Sequence, residues 1–155
     1  MSSALIASPS MIAGQMMVDR RLAHWIDGQQ IVDEWPLFVG SLPHGEDSPK
    51  DALALFGPDG TIDGRTMDGE VQRHPGLQLR VRSREYPPGY ATANNIYRIF
   101  TEDTYWRPVV VDGVTYRIQN ISGRSDILEL GIDKDTDLHG FAANFIVTIE
   151  SQGIQ

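Results

Sequence analysis

No cysteine occurs among the 155 residues, which excludes disulfide staples, thiolate zinc sites, iron–sulfur clusters and thiol nucleophiles. Basic charge is scarce as well. Thirteen Lys and Arg against 21 Asp and Glu leave a net charge of −8, which argues against a protein whose main task is to neutralise nucleic-acid backbone. No apolar run approaches the ~20 residues of a membrane span. Residues 1–7 hold no basic stretch and only a brief apolar run, so they do not read as a secretory leader. What is present, 41% hydrophobic and 22% charged residues, is ordinary globular usage and speaks against disordered, collagen-like and coiled-coil classes. A single domain over 1–155, with a core of its own and assembled in a cytoplasm, is the expectation.

Catalytic signatures are missing too. His24, His44, His74 and His139 stand too far apart for ligand spacing, and no H-E-x-x-H, G-x-S-x-G or phosphate-loop pattern occurs. Asp133, Asp135 and Asp137 alternate as calcium ligands do, but Leu138 and Asn144 stand where an EF-hand loop needs Gly and a bidentate Glu. The alternative for these three is a solvated acidic turn between strands. The sequence therefore points away from an enzyme, and to no cofactor or metal.

Ser8 and Pro9 read as an N-cap followed by a first helical residue. Ile12, Met16, Leu22, Trp25 and Ile26 then recur at helical spacing to a stop at Asp27-Gly28, predicting a helix over 9–27. The apolar runs from Trp35 to Pro43 and from Ala52 to Phe56 read as buried strands. Residues 57–76 are dense in Gly, Pro and Asp and are expected to form a long loop that either has a job of its own or is mobile until a partner orders it. Leu77, Leu79 and Val81 alternate with Arg80, Arg82 and Arg84, the pattern of a strand with one apolar and one basic face. Pro87-Pro88-Gly89 ends that strand, and Tyr90, Ala93, Ile96, Tyr97 and Phe100 mark a second helix over 88–101.

Asp112-Gly113 between Val109 and Ile118 predicts a tight hairpin, because a type I′ turn needs positive φ at both central residues. Ile127 to Ile132 reads as a further short strand. Phe141 to Ile149 is apolar on both faces and belongs at the centre of a sheet, closing a run of C-terminal strands over 108–150. Helix, two strands, loop, strand, helix, then three or four strands make an α+β domain: a mixed, mainly antiparallel β-sheet with two α-helices packed on one face.

Charge is distributed unevenly. Residues 65–84 hold five Arg and two acids (+3), whereas 126–137 hold five acids and one Lys (−4). Arg80, Arg82 and Arg84 on one side and Asp133, Asp135 and Asp137 on the other are thus candidates for complementary contact within the fold or between copies.

The succession WPLFVGSLP, DALALFGPDG, HPGLQLRVRSREYPPGYATANNIYRIF and VTYRIQNISGRSDILELGIDKDTDLHGFAANFIVTI resembles the tail terminator family of long-tailed bacteriophages, over about residues 10–150. The resemblance implies a structural virion protein of the tail and neck, and the α+β fold shared with tube and connector subunits. It also implies a homo-oligomeric ring, typically a hexamer, that caps the tail tube protein, stops polymerisation and meets the head completion or connector protein. The tape measure protein is a further implied neighbour, and DNA passes through the ring without specific binding. Another head-to-tail joining or tail tube subunit of the same fold is the alternative, and an unrelated soluble binding module or enzyme is a third reading.

Overall fold

A computed structural model of the chain describes residues 7–25, 35–43, 48–57, 61–65 and 71–151. Helix α1 (Pro9–Asp19) begins as its sequence predicts, with the Ser8 hydroxyl accepting from the Met11 N–H at 3.2 Å and proline in the first turn. It ends earlier than the predicted 27. The Arg21 N–H bonds the Val18 carbonyl and the Leu22 N–H bonds that of Met17, with Arg21 at φ 60°. This is a Schellman stop built on arginine instead of glycine, and side-chain periodicity gives no sign of it. The chain then runs as a short strand, β1 (Ala23–Trp25), so Leu22 and Trp25 follow the helix instead of continuing it. The predicted stop at Asp27-Gly28 and Ile26 lie outside the described residues.

Strands β2 (Trp35–Val39) and β3 (Ala52–Phe56) follow. Inside the predicted 57–76 loop lie two strands, β4 (Thr61–Arg65) and β5 (Val71–His74), paired antiparallel with a register shift between Ile62 and Arg65. Backbone pairing, which needs no apolar alternation, makes these strands, so the turn-rich composition masked them. The remaining elements are β6 (Gly76–Ser83), α2 (Tyr86–Glu102), β7 (Tyr105–Val111), β8 (Val114–Gly123), β9 (Leu128–Ile132) and β10 (His139–Ser151). Helix α2 starts before the predicted residue 88. Pro87 and Pro88 sit in its first turn, where a missing N–H is harmless, instead of merely closing the strand.

The main sheet has eight strands in the order β1-β2-β3-β6-β10-β8-β7, with β9 also paired to β10. The β1–β2 and β2–β3 pairs are parallel and the rest antiparallel, which makes the sheet mixed and mainly antiparallel as expected. Asp112 at φ 50° and Gly113 at φ 79° form the β7–β8 hairpin turn. The doubly apolar β10 lies between β6 on one side and β8 with β9 on the other.

Register shows why one face is covered. Leu37, Leu53, Val81 and Phe141 are successive cross-strand partners, and Leu55, Leu79 and Ala143 form the next row. These side chains join Ile12, Ala13, Met16 and Met17 of α1 and Ala93, Ile96 and Phe100 of α2 in one buried cluster, so both helices pack on this face. Phe145 anchors it, its ring centroid 5.2 Å from Phe100 and 5.4 Å from Tyr97. Burying such a ring contributes about 1.5–3 kcal/mol.

Candidate functional site

The opposite face of the sheet is polar at its centre. Phe38, Ala54, Arg80, Ala142 and Leu128 are partners across it, and Phe56, Gln78 and Asn144 form a parallel row. Arg80 Nε donates to Gln78 Oε1 at 3.0 Å, and Gln78 Nε2 donates to Asn144 Oδ1 at 2.9 Å. The Arg80 guanidinium lies 5.9 Å from the centroid of the Phe56 ring, a cation–π distance. Alternation puts Arg80 and Arg82 on this face, as the sequence pattern anticipates.

The three arginines have different fates. Arg82 is only 8% exposed and clamps a neighbouring segment, Nη1 donating to the Pro43 carbonyl at 2.6 Å and Nη2 to that of Pro49. Burial lowers its pKa from the usual arginine value, and its Nε is buried with no partner. Arg84 is exposed and pairs with Asp51 at 3.3 Å, while its N–H bonds the same carboxylate. Arg80 is half-buried.

The acidic candidates form the β9–β10 turn. The Asp133 side chain accepts from the Asp135 N–H at 2.9 Å, and its carbonyl accepts from the N–H groups of Thr136 and Asp137. Asp137 adopts φ 59°, a left-handed conformation that aspartate tolerates better than most residues. Short polar side chains that bond their own backbone account for this run of aspartates. Among the described residues no group of three or more His, Asp or Glu could hold a metal ion.

Arg80, Arg82 and Asp133 come together around one cleft of about 330 Å³, whose apolar walls include Leu42, Leu130, Ile132 and Leu138. Among the described residues no ion pair joins the three arginines to the three aspartates. Beside the cleft runs β9, and Leu128, Leu130 and Ile132 on it are 45%, 50% and 55% exposed. A bulge shifts its register against β10 between Gly140 and Phe141, and Gly131 at φ 84° supplies the backbone that only glycine adopts readily. Across the sheet, Tyr86 of α2 donates to Glu129 Oε1, which raises the pKa of the phenol from its ordinary value.

Sequence reasoning identified a strand here but not its exposure. Leu-x-Leu-x-Ile framed by Asp126 and Asp133 was the available signal, and it reads equally well as a buried strand. Tyr105, Trp106 and Val110 on edge strand β7 are exposed in the same way.

Two exposed apolar edge strands, β7 and β9, and a cleft with separated charges are the features of the described surface that suit contact with other macromolecules. A sequence model of the bacteriophage tail terminator protein family matches residues 13–148, a span running from α1 into β10. The chain belongs to this family, and so to the structural proteins of the phage tail that work in contact with other virion components. No curated protein matches it. Among the described residues no helix is long and apolar enough to cross a membrane.

Proposed function

We propose that this chain is the subunit of a ring, most simply a hexamer, that caps the last ring of the tail tube, ends tail polymerisation and offers its other side to the head completion or connector protein. The family match over 13–148 carries this reading. A head-to-tail interface that closes on rotation yields a ring of fixed number, and growth ends because the ring presents no further tube-binding face. The tape measure protein is a further neighbour, DNA crosses the ring without specific binding, and assembly takes place in the host cytoplasm. No catalytic step is assigned to the chain.

Of the charged candidates, Arg80, Arg84, Asp133, Asp135 and Asp137 are assigned to contacts between virion subunits, whereas Arg82 is committed to holding Pro43 and Pro49.

Negative-stain imaging of the purified protein, alone and mixed with tail tubes, tests the reading. Closed rings, and rings on tube ends, are the expected result. Long filaments would assign the chain to a tube subunit, and monomers that ignore tube ends at high concentration would overturn the proposal.

A further inference from the structure

Strand β9 has one edge bonded to β10 and, among the described residues, no strand on the other. Such an edge presents a row of backbone donors and acceptors ready to pair with an added strand. Its three aliphatic side chains are about half exposed. By register Leu128 lies over Ala142, and Leu130 contacts the place a Gly140 Cβ would take, so both sit on the face opposite the helices, beside the cleft. An isolated exposed leucine is unremarkable, but three on one unpaired edge next to a cleft form a docking track.

Charge decides what fits the track. The segment 126–137 carries net −4, so a second β9 laid alongside would set like charges against each other. The complement is an extended segment with aliphatic side chains at alternate positions and basic residues between and around them. The most basic extended stretch of this chain, Arg80 to Arg84, lies in or directly beside central strand β6, edge strand β7 carries a single Arg107 followed by Pro108, and the segments outside the described residues contain no Lys or Arg at all. Residues 61–74 hold Arg65 and Arg73 against Asp63, Asp68 and Glu70, a net −1.

We propose that the free edge of β9 takes up, by strand addition, an extended aliphatic and basic segment of a separate protein chain, with the Asp133–Asp137 turn selecting its charge. This goes beyond the ring reading and does not depend on it.

The test uses the full chain and two fluorescent peptides that differ only in charge, KVSVKVTVK and EVSVEVTVE, with binding followed by anisotropy. The basic peptide is expected to bind at least tenfold more tightly than the acidic one, and added salt should narrow that gap. Leu130→Lys should weaken the basic peptide at least tenfold while leaving the unfolding midpoint near that of the parent. Replacing Asp133, Asp135 and Asp137 with Asn should reduce the preference for the basic peptide. Amide hydrogens of 128–132 should gain exchange protection in the complex.

Failure of both peptides to bind, equal binding of the two, or indifference to Leu130→Lys would overturn the proposal. So would an oligomer of the chain that Leu130→Lys dissociates, because the edge would then belong to a second copy. Rings that form normally in Leu130→Lys leave the terminator reading standing whatever the peptides do.

Discussion

Gly89 lies directly against Phe141, so that a Cβ at position 89 would come within 2.7 Å of the ring edge and 2.8 Å of the Ser83 Cβ. The first turn of α2 therefore rests on the sheet with no room for a methyl group. Gly89→Ala is expected to push the helix off β6 and β10 and to destabilise the fold by about 1–2 kcal/mol, overpacking outweighing the gain in helix propensity. Urea or thermal unfolding measures this, and a variant as stable as the parent would show that the helix start yields freely.

Arg21 occupies the left-handed position that ends α1, at φ 60°, with an exposed side chain. Glycine adopts this conformation without a Cβ clash. Arg21→Gly should stabilise the protein by about 0.5–1 kcal/mol, against the usual direction for glycine substitutions. A fall in the unfolding midpoint would mean that the arginine side chain contributes more than its backbone strain costs.

Arg82 and Arg84 lie two residues apart and differ in consequence. Removing the Arg82 guanidinium leaves the Pro43 and Pro49 carbonyls without their donors and empties a mostly buried site. Arg82→Met is expected to cost about 2–4 kcal/mol, since hydrogen bonds to charged groups contribute about 1.5–3 kcal/mol each. Arg84→Met breaks an exposed pair with Asp51 and should change stability by less than about 1 kcal/mol. Comparable losses in the two variants would contradict this ordering.

Arg20 donates to the Asp103 carboxylate and joins the end of α1 to the end of α2, 83 positions apart. The bond and the charge of Arg20 hold the Asp103 carboxyl below its ordinary pKa. A carboxyl depressed in the folded state stabilises the fold above its unfolded pKa, about 3.9, and loses that contribution as pH falls through the lower folded value. In Arg20→Met the Asp103 pKa should rise toward the ordinary carboxylate range, read by carboxyl carbon NMR, and the acid limb of stability should flatten. An unmoved Asp103 titration would rule out the pair as the cause.

Much of this structure was legible from short-range chemistry. The Ser8 cap with Pro9, the Asp112-Gly113 hairpin, the second helix and the central position of β10 each depend on residues within a few positions of one another, where backbone sterics and periodicity decide. The mixed sheet with both helices on one face followed from those elements in order. The aspartates of the β9–β10 turn were legible as a turn, because short polar side chains bond their own backbone.

Other features had no signal in residue type or periodicity. Arg21 ends α1 although nothing in its chemistry favours a left-handed stop. Strands β4 and β5 exist because each finds the other, despite a composition that reads as loop. Arg80, Arg82 and Arg84 are alike in sequence, yet Arg82 alone meets the Pro43 and Pro49 carbonyls and is buried. Leu128, Leu130 and Ile132 have the pattern of a core strand and stand exposed, because no described strand lies beyond β9. Sequence by itself determined most of the elements, β1, β4 and β5 excepted, and which of their faces are apolar. Only the tertiary structure decided which of those faces are covered, since covering is done by residues far away in the chain.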